Sequence, residues 1–193
     1  MKSDPSLSSY YVGNDFYQAL VDDFSDWQTE DREVTDLTLR DSLCQFLNRE
    51  ARLLEQNRLD DWLALYAPEC VYWVPATPNG GDPRREIAVS FDDRRRLEDR
   101  LFRLKNDYAW SQRPVSRTAR LVSNVTVFST GDPAVFMVRS TFFTTEFQAG
   151  DKRLYTGGYG HRIRDLRDRW SIEVKQVNLI DCDQNLRNPS IVL

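Results

Sequence analysis
His161 is the one histidine of the chain, and Cys44, Cys70 and Cys182 are its three cysteines. Those counts bound the metal chemistry. A Rieske cluster takes two histidines and two cysteines, and a facial-triad iron site takes two histidines and a carboxylate. Neither can be assembled within this chain. No C-x-x-C pair occurs, so a structural zinc site is not expected either. The three cysteines are odd in number, widely separated and set in apolar runs. They read as reduced, buried thiols whose pKa is raised, not as a disulfide frame or a nucleophile.

Other motifs are weaker. There is no G-x-S-x-G. Gly157, Gly158 and Gly160 do not form G-x-G-x-x-G, and a strand interior is the wrong place for a phosphate loop. Asn124-Val125-Thr126 is formally a glycosylation sequon but reads as strand. Arg94, Arg95 and Arg96 are flanked by Asp92, Asp93, Glu98 and Asp99, which makes a salt-bridged, solvated helix face a better reading than a phosphate site. One enzymatic constellation remains: Tyr72, Asp93, Tyr159 and His161. In the mouth of a cone-shaped fold such groups can serve as an acid–base pair. The competing reading fills the cone with aromatic rings, leaves no pocket and makes His161 a hydrogen-bonded structural residue. Residue types leave both open.

The elements that must position these residues come in a clear order. Residues 1–35 are polar and acidic yet carry Tyr10, Tyr11, Phe16, Tyr17, Phe24 and Trp27. So many rings predict an arm that packs on the domain or on a partner, with a short helix over 15–24. A helix is expected over 36–56, with Leu39, Leu43, Phe46, Leu47, Ala51 and Leu54 as its stripe, Thr35 or Thr38 as its cap and Asn57 as its end. A second helix is expected over 59–66, stopped by Pro68. A strand at 70–76 sends Val71 and Trp73 one way and Cys70, Tyr72 and Val74 the other. Turn chemistry at 77–85, with Asn79 and a Gly pair, leads to a short edge strand at 86–90.

Residues 91–129 form the centre. Leu97, Leu101, Leu104 and Tyr108 make a helical stripe, widened by Phe102, with Asp92 and Asp93 in the first turn. Pro114 turns the corner after Arg113. From Arg117 the period becomes two, with Leu121, Ser123, Val125 and Val127 on one side and Val122, Asn124, Thr126 and Phe128 on the other. Four antiparallel strands are expected near 117–129, 134–147, 153–165 and 169–182. The glycines of the third predict a bulge or bend. The apolar tail is expected to dock. The prediction is one α+β domain over 36–193, with N-terminal helices packed in a curved antiparallel sheet.

The composition is ordinary for a globular chain: 193 residues, 40% hydrophobic and 29% charged. A net charge of -4 does not suit nucleic acid or an anionic membrane. No apolar run would span a bilayer and the N-terminus has no apolar signal core, so a cytoplasmic location is expected.

Two blocks carry a family resemblance. FLNREARLLEQNRLDDWLALYAPECVYWVPA (46–76) and FDDRRRLEDRLFRLKNDYAWSQRPVSRTARLVSNVTV (91–127) resemble the small (beta) subunits of aromatic-ring-hydroxylating dioxygenases. The positions carried are Asp93, Leu97, Arg100, Pro114, Arg117, Thr118 and Asn124, with NLIDCDQNLRNPSIVL similar to the family's C-terminus. The resemblance implies an NTF2-like (cystatin-like) cone and a structural, non-catalytic role. No catalytic, cofactor-binding or metal-binding residue is then expected here. It implies a partner large (alpha) subunit holding a Rieske [2Fe-2S] cluster and a mononuclear Fe(II), as three large plus three small subunits fed by a reductase or ferredoxin. The stretch LEDRLFRLKND is closer to the branch acting on aromatic carboxylates. The alternatives are a stand-alone NTF2-like isomerase or dehydratase using an acid–base pair in the cone, and an adaptor with a non-enzymatic partner.

Overall fold
The computed structural model describes residues 13–78, 80–105, 114–186 and 188–193. Tyr10, Tyr11, Asn79, Tyr108 and Arg113, used above, lie outside the described residues. The described elements are α1 (Asn14–Asp23), a 3-10 turn (Glu30–Arg32), α2 (Leu37–Glu55), α3 (Leu59–Leu63), β1 (Tyr66–Pro75), β2 (Ala88–Asp93), α4 (Arg94–Lys105), β3 (Arg117–Ser129), β4 (Val135–Gln148), β5 (Asp151–Asp165) and β6 (Trp170–Leu179).

The strands form one sheet in the order β2-β1-β6-β5-β4-β3. The last four strands make the expected antiparallel meander, from β3 to β6. The long return from α3 and β1 adds a parallel pairing of β1 with β6, which turn-by-turn reading does not reveal. On one face of the sheet, α2, α3 and α4 bury Leu43, Leu47, Trp62, Leu97 and Leu101 against Tyr72, Val138, Phe142 and Ile163. Ile191, Val192 and Leu193 of the tail dock into the same cluster. Each fully buried aliphatic side chain contributes about 1.5–3 kcal/mol. On the opposite face, Leu20 of α1 packs against Val71, Trp73 and Val174. Phe24 and Trp27 follow, stacked edge-on, with Trp27 also edge-on to Phe128.

Local corrections have physical causes. The cap of α2 is Asp36, whose carboxylate accepts hydrogen bonds from the backbone of Thr38 (2.8 Å) and Leu39 (3.2 Å), in place of Thr35 or Thr38. A carboxylate there also answers the positive end of the helix. Asn57 does end the helix, with φ 54°. α3 stops at Leu63, because the Leu65 carbonyl accepts from the Ile172 amide and the chain joins the sheet there. Tyr66 and Pro68 are therefore strand residues. Pro68 lies where the β1–β6 register shifts, between Tyr66 and Val71, so its missing N–H interrupts no regular ladder.

Asp92 and Asp93 close β2 and precede α4, instead of lying in its first turn. Phe102 does not widen the stripe of α4 but is 70% exposed. In β3 the register shifts between Ser123 and Thr126, with Asn124 at φ 53°. The extra residue flips the alternation. Val122 before it and Val125 and Val127 after it all pack on the inner core, which no uninterrupted period of two allows. In β5 the glycines mark close approach: a Cβ on Gly157 would meet the Asn178 carbonyl at 2.0 Å, and one on Gly160 would meet the Phe24 ring at 2.9 Å. The β4–β5 register runs unbroken past both, and the β5 shift with β6 falls later, at Arg162/Ile163.

Candidate functional site
Strand pairing decides which candidate groups can meet. Directly paired residues share a face of the sheet. Asp92 pairs with Tyr72 and Asp93 with Val71, so Asp93 lies on the face opposite Tyr72. Asp93 instead accepts from the Arg96 backbone at 2.8 Å and caps α4. Tyr72, Tyr159 and His161 do share the inner face. Tyr72 is engaged by the tail, its hydroxyl accepting from the Leu193 amide at 3.0 Å. Of the four candidates, then, only Tyr159 and His161 are brought together, with rings 5.5 Å apart and edge-on.

These two meet partners that residue-type reasoning missed. Glu50 points inward from α2 and Lys175 inward from β6. Glu50 Oε1 accepts from Lys175 Nζ at 2.8 Å and from Trp62 Nε1 at 3.0 Å. Glu50 Oε2 stands 3.4 Å from His161 Nε2. The Lys175 ammonium also lies 4.3 Å from the centre of the Tyr159 ring, which stacks on Phe142 at 4.1 Å. A signal for Glu50 was present: it falls at the helical spacing of Phe46, Leu47, Leu53 and Leu54, where a carboxylate needs a buried partner. Lys175 carried no such local sign, because the β5–β6 register shift inverts the alternation just before it.

Burial governs the electrostatics. It opposes the Glu50 charge, but Lys175 and His161 outweigh it and hold the carboxyl well below the usual carboxylate range. Burial lowers His161 below 6.5 and draws Lys175 down, in both cases against the pull of Glu50. Burial lifts Tyr159 well above its ordinary value and pushes Tyr72 up to about 12. Cys70 is likewise pushed up to about 12 by burial, as an inert thiol should be. A second buried carboxylate, Glu146, is occupied by Tyr155 and Asn188.

The chemical capacity of this cluster is small. His161 is 0% exposed, Glu50 2% and Tyr159 4%, so none faces solvent. The carboxylate, ammonium and indole satisfy one another. Among the described residues no group of three His, Cys, Asp or Glu could hold a metal ion, and no helix is long and apolar enough to cross a membrane.

The molecule is thus an α+β cone with helices on its inner sheet face and a polar network sealed at its centre. A family model for the ring hydroxylating beta subunit matches residues 49–184, and the chain belongs to that family. It is 36% identical over 122 residues to the benzoate 1,2-dioxygenase subunit beta of Acinetobacter baylyi, covering 61% of this chain and 72% of that protein. It is 32% identical over 139 residues to the small oxygenase component of the p-cumate 2,3-dioxygenase system of Pseudomonas putida, covering 71% and 77%. The crystal structure of the benzoate 1,2-dioxygenase beta subunit from Burkholderia mallei matches with a TM-score of 0.62 at 29% identity, over 76% of this chain and 91% of that one. The expected NTF2-like α+β fold and the expected family both hold. The chain is a subunit of a dioxygenase complex, and the reading as a stand-alone isomerase or dehydratase finds no support in these relatives.

Proposed function
We propose that this chain is the structural, non-catalytic subunit of a Rieske-type oxygenase that adds dioxygen to the ring of an aromatic carboxylate. One observation supports the non-catalytic part: the charges of the interior are spent internally, with Glu50 held by Lys175 and Trp62 beside His161, out of reach of solvent. The substrate class follows from the relatives, since benzoate and p-cumate are both aromatic carboxylates. With one histidine, this chain does not fit a Rieske cluster or a facial-triad iron. Both centres belong to a large alpha subunit, in an assembly of three large and three small subunits that receives electrons from a reductase or ferredoxin in the cytoplasm. Of the arm expected over residues 1–35, the described part from residue 13 packs on the domain of residues 36–193, which α1 supports by lying on the outer sheet face.

The test is to co-express the chain with its large subunit and measure iron, the Rieske spectrum and turnover of benzoate-type acids. His161→Gln and Tyr159→Phe are expected to leave iron content and turnover per intact complex unchanged. Loss of either, with the assembly whole, would overturn the non-catalytic reading.

A further inference from the structure
Nine arginines of this acidic chain pair with a carboxylate among the described residues, Arg40 with Glu33 at 4.0 Å among them. Arg58 pairs with Asp61, Arg84 with Asp82, Arg94 with Glu98, Arg95 with Asp99, and Arg100 with Asp92. Arg153, Arg162 and Arg164 each reach two carboxylates. One groove gathers four arginines that are not among these nine. It lies between the outer side of α2 and the turn joining β5 to β6, with a volume of about 680 Å³. Arg49, Arg52, Arg167 and Arg169 line it, with Phe46 and Trp170 as apolar wall. All four arginines are exposed, and none has a carboxylate partner among the described residues. Three aspartates, Asp61, Asp165 and Asp168, also line the groove, and none forms an ion pair with these arginines among the described residues. Asp61 is held by Arg58, and Asp165 accepts the Arg167 backbone N–H at 2.6 Å. Arg167 itself sits at φ 73°, a left-handed conformation that non-glycine residues rarely adopt. The turn is fixed around it by the Leu166 amide donating to the Arg169 carbonyl at 2.9 Å.

We propose that this groove seats an acidic segment of the large oxygenase subunit. Guanidinium groups are planar forks suited to carboxylates, and an aromatic wall beside them suits a peptide stem. Two of them on α2 and two in the turn between β5 and β6 outnumber the three aspartates of the groove and leave a local positive excess on a chain of net charge -4. The inference rests on the reading of this chain as the partner of a large subunit.

The experiment uses the co-expressed complex. The fourfold variant Arg49→Gln/Arg52→Gln/Arg167→Gln/Arg169→Gln is compared with wild type and with Arg103→Gln, a change outside the groove. Complex formation is followed by sedimentation against salt concentration, and amide exchange is followed over residues 42–52 and 165–170. The expected result is at least tenfold weaker association for the fourfold variant, a flatter salt dependence, and exchange protection of both segments in the wild-type complex. An unchanged affinity with unprotected segments would overturn the groove while leaving the subunit reading intact. Protection of the groove by benzoate or phosphate alone, with assembly unaffected, would overturn it in favour of a small-anion site. Failure of wild type to bind any large subunit would overturn the subunit reading itself.

Discussion
The centre of the cone and the groove at its rim use the same kinds of charged residue to opposite ends. At the centre, Glu50 and Lys175 are buried and turned on one another beside the neutral imidazole of His161. At the rim, Arg49, Arg52, Arg167 and Arg169 stand exposed with no carboxylate ion pair among the described residues. Solvent makes the difference. A charge taken out of water costs several kcal/mol unless it is paired, so the interior admits only a closed set. A charge left in water costs little and stays available to a partner. An interior network therefore reports on how the fold is held, and an unmatched surface cluster reports on what the fold can meet.

The largest test of this contrast is Glu50→Ala, which leaves Lys175 buried without its anion. The expected loss is about 3–5 kcal/mol of folding stability in urea denaturation. The double change Glu50→Gln/Lys175→Met should cost clearly less than the sum of its parts. Additive effects would show that the two residues are not a pair in the folded chain.

Next comes pH. Glu50 and His161 both have folded pKa values below their ordinary 4.5 and 6.5. In each case the unfolded chain binds the proton more readily, so stability is present at neutral pH and is lost as pH falls. The His161 contribution begins to fade below pH 6.5 and that of Glu50 below pH 4.5. Urea midpoints measured from pH 7 to pH 4 should fall in both windows, and His161→Gln should remove the upper one alone. A flat profile between pH 7 and pH 5 would contradict the burial of a neutral imidazole.

At the groove edge, Arg58 and Asp61 are more than half exposed on both sides. Arg58→Ala should cost no more than about 1 kcal/mol, with the effect shrinking in high salt. Smallest of all, the fourfold groove variant should change the stability of the isolated chain by only about 0.5 kcal/mol in either direction. A large loss there would mean that the groove arginines hold the fold and are not free to meet a partner.

Much of this molecule was legible from residue order. The stripe of Leu43, Phe46 and Leu47, the facing of Val71 and Trp73 against Cys70, Tyr72 and Val74, and the four closing strands follow from periods of 3.6 and 2. Those periods are local, set by backbone geometry and by which side chains avoid water. The single histidine also limited, without any coordinates, which metal centres the chain could build. What only the tertiary structure decided is every relation across long separations. It separated Asp93 from Tyr72, joined Glu50 to Lys175 across 125 positions, and paired β1 in parallel with β6. The shifts at Asn124 and near Arg162 each inverted a local pattern. Such contacts are chosen by the fit of whole faces and by the need of each buried charge for a partner. No window along the chain contains both halves of that choice.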